Sequence, residues 1–264
     1  MSNILTIASN TYKEAIRDRI LYIILVFAFL MIASSILLSY LSLNQEPKIV
    51  IDLGLSAINI FGLVITIFIG TNLLSKEIDK RTVFLLFSKP LNRSEFILGK
   101  YTGMCLTLFV IVFFMSIIFG VFIFFVTHNL NPDLRKEFFQ PISVLQAIVL
   151  IYIELILITG FAIFFSTISS PIMSAVFTIC IYLIGHFSQD LIKLGEFSHN
   201  YMIMYITKIL YYVLPDLGRL NLKNQIIFGT GLSHELFSIN IIYGIIYTSV
   251  LLILGIIIFE RREF

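Results

Sequence analysis

Long apolar runs alternate with short polar segments along this chain. Six runs reach the length of about 20 residues with which a helix crosses the roughly 30 Å hydrocarbon core of a bilayer. They cover residues 20–43, 51–74, 103–127, 142–167, 171–192 and 237–259. The runs are continuously apolar instead of alternating, which argues against a transmembrane β-barrel. The pattern predicts an all-α integral membrane protein with six transmembrane helices.

The composition supports a membrane protein. Hydrophobic residues make up 58% of the 264 residues and charged residues 13%, whereas soluble domains contain about 25% charged residues. The net charge of +2 is too small to indicate a nucleic-acid partner. Cys105 and Cys180 both lie in predicted spans, where cysteine behaves as a small apolar residue, so we expect no disulfide. We also expect no cleavable signal peptide, because the first 19 residues are charged and no small-residue cleavage site follows.

The distribution of Lys and Arg predicts the orientation, since short cytoplasmic loops collect these residues. The segment after the second run is the most basic part of the chain. It contains Lys76, Lys80, Arg81, Lys89, Arg93 and Lys100. The neighbouring loops contain only Lys48, and then Arg135 with Lys136. We therefore expect residues 75–100 to face the cytoplasm, and six spans then place both termini there.

The whole chain, residues 1–264, is interpreted as a single transmembrane domain. Residues 1–19 have apolar positions at helical spacing and predict an amphipathic helix on the cytoplasmic surface. Residues 193–236 are expected on the opposite side. Within them, residues 201–214 are apolar but reach only about 21 Å as a helix, so we expect an interfacial or re-entrant helix that Pro215 ends.

The cytoplasmic segment, residues 75–100, has the pattern of two short helices around the turn at Lys89-Pro90. Asn92, followed by Glu95, resembles a capping box that opens the second helix. The apolar side chains of Val83, Phe84 and Phe87 need a surface to bury against. From the residues alone, a partner protein and the chain's own membrane domain are equally good candidates for that surface.

Several motifs resemble the type-2 ATP-binding-cassette (ABC) permeases, the exporter-type membrane subunits of ABC transporters. Glu77-x-Asp79-x-x-Thr82 with Ser88-Lys89-Pro90-Leu91-x-Arg93-x-Glu95 is similar to their cytoplasmic coupling region. Further similar segments are the leading helix with Glu14, Arg17 and Arg19, residues 165–171, 182–186 and 214–223, and the ending Phe259-Glu260-Arg261-Arg262. The sequence departs from the family at Arg81, where a glycine is frequent.

The resemblance implies a division of labour between chains. Two permease copies, identical or different, would form the translocation path in a bacterial cytoplasmic membrane. Each would be coupled to a separate cytoplasmic ATPase subunit that binds ATP and Mg²⁺. The sequence contains no G-x-x-x-x-G-K-[ST] phosphate loop, so we expect no ATPase activity and no cofactor in this chain. The residues implied to couple to the ATPase are Glu77, Asp79, Lys80, Arg81, Thr82, Val83, Phe84 and Phe87.

Ionisable residues inside the predicted spans are costly and face the protein interior. Glu154 lies in the middle of the fourth run, and His186 and Asp190 lie towards the outer end of the fifth. One hypothesis is a polar track for a substrate headgroup or a proton, as in a proton-coupled secondary transporter or channel that uses Glu154 and His186. The other, which we favour, is hydrogen bonding between helices.

Small residues predict close helix packing. Gly62, Thr66 and Gly70 recur at every fourth position of the second run, which is the spacing of packed transmembrane helices. A dimer seam and packing within one chain explain this spacing equally well. No group of His and Cys residues has the spacing of metal ligands.

Overall fold

A computed structural model describes residues 2–17, 26–27, 29–31, 34, 46–79, 92–128, 141–198, 201–222 and 233–261. Every secondary-structure element in these residues is helical. The helices are α1 (Ser2–Arg17), α2 (Glu46–Asp79), α3 (Arg93–His128), α4 (Pro141–Ile168), α5 (Pro171–His186), α6 (Ser188–Phe197), α7 (Tyr201–Val213), a 3-10 turn (Leu217–Arg219) and α8 (His234–Arg261).

Among the described residues, four helices are long and apolar enough to cross a membrane. The candidate spans are Ile49–Thr71 in α2, Arg93–Phe125 in α3, Pro141–Ile168 (all of α4) and His234–Arg261 (all of α8). The prediction of an all-helical membrane protein is confirmed. Most of the predicted first span, residues 20–43, lies outside the described residues, so the count of six spans stays a prediction.

The fifth predicted span, residues 171–192, is not one straight helix. Helices α5 and α6 meet at Phe187 with a bend of 55°, as in a broken span or a re-entrant loop. Beside the bend, a Cβ atom on Gly185 would lie 2.7 Å from Leu217 Cγ and 3.0 Å from the Pro215 carbonyl oxygen. A turn of the chain from beyond α7 therefore packs directly on the end of α5, and the sequence of the fifth run gives no sign of that contact.

Helix α4 is the centre of the bundle and contacts α2, α3, α5 and α8. Between α2 and α4, the Leu155 side chain packs directly on the backbone of Gly62, and a Cβ atom on Gly70 would lie 3.2 Å from Ala162 Cβ. Thr66, between them, is fully buried and donates to the Gly62 carbonyl at 2.8 Å. The three small residues therefore lie on the side of α2 that faces α4 in the same chain.

Helix α1 packs along the first turns of α3. The contact depends on two glycines of α3, because Cβ atoms there would lie 2.7 Å from Ile7 Cβ (at Gly99) and 2.7 Å from the Ala8 carbonyl oxygen (at Gly103). Thr11 and Ala15 of α1 are buried. Residues 2–17 thus form the predicted N-terminal helix, and its apolar side lies against α3.

Helices α6 and α7 form a hairpin beside the bundle. Most of the large apolar side chains of α7 are exposed, among them Met202, Tyr205 and Ile209. The helix ends at Val213, close to the end predicted from Pro215. In the turn that follows, the Tyr243 hydroxyl accepts from the Asp216 backbone N–H at 2.8 Å. Tyr243 lies about 13 Å along α8 from His234, so this turn contacts α8 well inside its N-terminal end.

We expect Gly103→Ala to separate α1 from α3. The added methyl group meets a backbone oxygen, which cannot rotate away as a side chain can, and overpacking of this kind costs about 1–3 kcal/mol. The matched control is Gly120→Ala on the same helix, where a Cβ would meet no atom within 4 Å. The measurement is the thermal midpoint of the detergent-purified proteins by size-exclusion chromatography. Equal midpoints for the two variants would contradict this packing.

Candidate functional site

Three helices bring polar side chains together around the middle of α4. Glu154 lies close to the midpoint of this helix and its side chain is completely buried. Its Oε1 lies 3.0 Å from His186 Nε2 at the end of α5. On the other side, Asn59 Nδ2 of α2 donates to Glu154 Oε2 at 3.1 Å. Both carboxyl oxygens therefore have partners, as buried polar groups require.

Tyr182 completes this cluster from α5. Its hydroxyl donates to Asn59 Oδ1 over a long 3.5 Å, and its ring packs edge-on against the His186 imidazole with 4.5 Å between centroids. This ring contact and the 3.0 Å hydrogen bond between His186 Nε2 and Glu154 Oε1 together fix the orientation of the imidazole. We call Asn59, Glu154, Tyr182 and His186 the intramembrane cluster.

The contact between Glu154 and His186 joins two ionisable side chains from different helices in the interior of the bundle. Pairing and hydrogen bonding limit the cost of placing such groups in an apolar bundle. The arrangement can hold α2, α4 and α5 in register, and it places a carboxyl oxygen and an imidazole nitrogen at hydrogen-bond distance, as proton exchange between them would require.

The third residue predicted for this group, Asp190, lies elsewhere. It is exposed on α6, where Lys193 Nζ donates to it at 2.9 Å. The bend at Phe187 explains the difference, because residues beyond it no longer follow the face of α5 on which His186 lies. The structure therefore brings His186 to Glu154 and leaves Asp190 apart.

A second polar cluster surrounds Asp216, in the turn between α7 and α8. Its carboxylate accepts hydrogen bonds from the Ser188 hydroxyl (3.1 Å), the Gln189 amide (3.3 Å) and the Tyr211 hydroxyl (3.2 Å). Arg219 Nε also donates to it at 2.9 Å. The side chain of Asp216 is only 5% exposed. We call this group the Asp216 turn.

The Asp216 turn was not predicted as a site. Its local sequence signal is an acidic residue, Asp216, directly after Pro215, with a basic residue, Arg219, three positions later. In the structure Asp216 also caps the 3-10 turn, because its side chain accepts a hydrogen bond from the Arg219 backbone N–H at 3.3 Å. The contacts to Ser188 and Gln189 come from a separate helix. Sequence spacing could therefore indicate the turn but not what it is bound to.

A third set of contacts gathers at the opposite end of the bundle, where α3 begins and α8 ends. Arg93 Nη1 donates to the carbonyl oxygens of Phe259 (3.2 Å) and Glu260 (2.9 Å), which satisfies backbone acceptors that a helix C-terminus leaves open. From α1, Asn3 Nδ2 donates to Glu95 Oε2 at 3.2 Å. The first turn of α3 is therefore tied to both α1 and α8.

Two of the predicted coupling residues lie in a described helix. Glu77 and Asp79 belong to the last turn of α2, and α3 begins at Arg93, immediately after Asn92. The other predicted coupling residues, which are Lys80, Arg81, Thr82, Val83, Phe84 and Phe87, lie outside the described residues. In the described part of the chain, no group of three or more His, Cys, Asp or Glu residues is arranged to hold a metal ion.

A protein-family model, described as an ABC-2 family transporter protein, matches residues 5–264. The chain belongs to the ABC-2 transporter family. No curated protein sequence matches it significantly. Since the match covers α1 through α8, this ABC-2 chain is an integral membrane permease of an ABC transporter, and the resemblance in its motifs is confirmed at the level of the family.

Both polar clusters lie within the part of the chain that matches the ABC-2 model. The intramembrane cluster joins α2, α4 and α5, and the Asp216 turn joins the α6–α7 hairpin to α8. The two clusters adjoin in sequence at the bend. His186, before Phe187, belongs to the intramembrane cluster, and Ser188, after it, belongs to the Asp216 turn. The end of α5 in this ABC-2 permease is therefore held from two directions.

We expect Asp216→Ala to destabilise this ABC-2 permease by about 3 kcal/mol, because the donors on α6 and α7 lose a buried charged acceptor. Asp190→Ala is the matched control. It also removes an aspartate paired with a base three residues later, but the Asp190 and Lys193 side chains are 56% and 67% exposed, and such pairs contribute about 0–1 kcal/mol. Thermal midpoints in detergent measure both changes. A loss for Asp190→Ala as large as for Asp216→Ala would contradict the assigned role of the Asp216 turn.

Proposed function

We propose that this chain is the permease subunit of an ATP-driven ABC exporter. In this proposal two permease copies form the translocation path, and each is coupled to a separate cytoplasmic ATPase subunit. The observation that carries the proposal is the family match, which runs from α1 to the end of the chain. The chain contributes the path and the coupling surface, and the partner subunit contributes the binding and hydrolysis of ATP.

Residues 75–100 are proposed to be the coupling surface. The segment starts in the last turns of α2 and ends in the first turns of α3, so a force applied to it acts on two adjoining membrane helices. Its acidic and basic residues, Glu77, Asp79, Lys80 and Arg81, would give charge complementarity to the ATPase. Val83, Phe84 and Phe87 would supply the buried part of the contact, and Thr82 belongs to the same proposed surface.

The contacts of Arg93 and Glu95 support this role. Through them the first turn of α3 holds the carbonyl end of α8 and the N-terminal helix α1. A displacement of the coupling segment would therefore move α1, α3 and α8 together. In the proposed topology this end of the bundle and both termini face the cytoplasm, in agreement with the basic residues nearby.

A proton-coupled secondary transporter or channel is the alternative function. It is suggested by the 3.0 Å contact between His186 Nε2 and Glu154 Oε1 in the interior of the bundle. We favour a structural role, because Asn59 also binds this carboxyl group and the three residues link three helices. Glu154→Gln distinguishes the two functions, since it keeps hydrogen bonding but removes the titratable carboxyl group. ATP-driven transport should survive it, whereas proton-coupled transport should stop.

We expect Phe84→Asp to abolish ATPase activity that depends on the permease, because a charge would replace the apolar contact proposed for the partner's groove. The measurement is ATP hydrolysis by the purified complex in nanodiscs, with the amount of bound ATPase determined in parallel. Phe197→Asp is the control. It makes the same change at a side chain that is 83% exposed at the end of α6, on the side proposed to be extracytoplasmic. Unchanged hydrolysis and binding in Phe84→Asp would overturn the assignment of the coupling surface.

A further inference from the structure

An apolar groove runs along α8 beside the end of α7. Its volume is about 600 Å³. The wall provided by α8 carries Ile239, Ile242, Ile246, Val250 and Leu254. These positions extend over about 22 Å of helix. Ile246 and Leu254 are 59% and 45% exposed, so the groove is open from the side, towards the lipid that surrounds a membrane protein.

A polar recess adjoins the outer end of this groove. Its volume is about 430 Å³, and its lining includes the side chains of Gln189, Asn221 and Asn240. Groove and recess share two lining residues, Arg219 and Ile239. The apolar groove therefore leads into the polar recess, and the guanidinium group of Arg219 lies at their junction.

Arg219 is positioned to present charge to this junction. Its Nε donates to Asp216 and its Nη2 donates to the Tyr211 hydroxyl at 2.8 Å. The guanidinium carbon lies 5.9 Å from the centre of the Tyr243 ring. These contacts orient the planar group, yet its side chain remains 46% exposed. The paired carboxylate of Asp216 is almost completely buried, so a molecule in the recess meets the cation and not the anion.

The amide groups of the recess add hydrogen-bond donors. Gln189 Nε2 donates to both carboxylate oxygens of Asp216, at 3.3 Å each. Asn240 Nδ2 donates to the Arg219 carbonyl oxygen at 3.0 Å, and since an amide nitrogen carries two hydrogens, it can donate a second bond into the recess. An exposed guanidinium beside an amide donor suits a phosphate group.

We propose that groove and recess form a binding site for an anionic phospholipid of the outer leaflet. An acyl chain occupies the apolar groove on α8, and the phosphate binds Arg219 at the junction, with the amides of the recess around the headgroup. The length of the groove, about 22 Å, is similar to the depth of one leaflet with its headgroup region, which is about half of the roughly 40–45 Å total thickness of a bilayer. The assignment to the outer leaflet rests on the proposed topology, and the site itself is independent of the coupling surface and of whether the chain works as an exporter.

The site is tested by measuring which lipids remain bound to the full-length permease, purified together with any subunits that accompany it. The protein is placed in nanodiscs with equal amounts of phosphatidylglycerol and phosphatidylcholine, extracted into mild detergent, and examined by native mass spectrometry. We expect preferential retention of phosphatidylglycerol. Ile246→Trp, which fills the groove, should lower that retention about tenfold. Ile245→Trp is the control, because its side chain is similarly exposed (52%) and does not line the groove.

The charge is tested separately. Arg219→Gln should weaken phosphatidylglycerol retention about tenfold, as expected for the loss of a charge-assisted hydrogen bond, whereas Lys208→Gln removes an exposed charge from α7 and should leave retention unchanged. If Arg219→Gln does not fold, the Ile246→Trp and Ile245→Trp pair still decides the question.

Four results would overturn the proposal. The first is equal retention of the two lipids by the unmodified protein. The second is unchanged phosphatidylglycerol retention in Ile246→Trp, and the third is the same loss in Ile245→Trp. The fourth is efficient disulfide crosslinking of Ile246→Cys, either to a second copy or to a cysteine introduced in residues 223–232, because the groove would then be covered by protein.

Discussion

The interior of this membrane protein must satisfy every polar group without water, and helix α4 is where that constraint is concentrated. It contacts α2, α3, α5 and α8, and its central residue, Glu154, is completely buried. An ionisable group at that position is tolerated because Asn59 and His186 approach it from two other helices. Close approach of α2 to α4 depends in turn on Gly62 and Gly70. The register of three helices thus follows from one carboxyl group and the small residues that let its partners come near.

The same constraint shapes both ends of the bundle. At one end, the Asp216 turn accepts hydrogen bonds from α6, α7 and the 3-10 turn, so that a chain segment without long helices can pack inside the N-terminal end of α8. At the other end, Arg93 binds the last carbonyl groups of α8. That second end also carries the segment proposed to contact the ATPase. A permease moved by a partner needs a rigid connection between its coupling surface and its membrane helices, and in the proposed mechanism the hydrogen bonds that join α3 to α1 and to α8 would supply one.

The hydrophobic pattern predicted α4 and α8 nearly to their ends, because apolar runs of bilayer length have few alternatives to a helix. Pro215 likewise predicted the end of α7. The bend at Phe187 could not be predicted, since it accompanies contacts between Gly185 and Leu217 and between Ser188 and Asp216, which are distant in sequence. Glu154 and His186 were recognised as costly residues, but their pairing across 32 positions, and the absence of Asp190 from it, required the arrangement of the helices. The coupling region is predicted from family motifs and not from periodicity, because such a region is defined by its partner more than by its own fold; what the family match confirms is the family.

The central claim is that this ABC-2 permease works with a separate ATPase, and isolation of the complex tests it most directly. The tagged chain would be purified from its native membrane in mild detergent, and stoichiometric partners would be identified by mass spectrometry. We expect a co-purifying subunit with a phosphate-loop sequence, whose retention depends on Phe84 and Arg81. Recovery of the intact chain alone, under conditions gentle enough to preserve other ABC complexes from the same membrane, would contradict it.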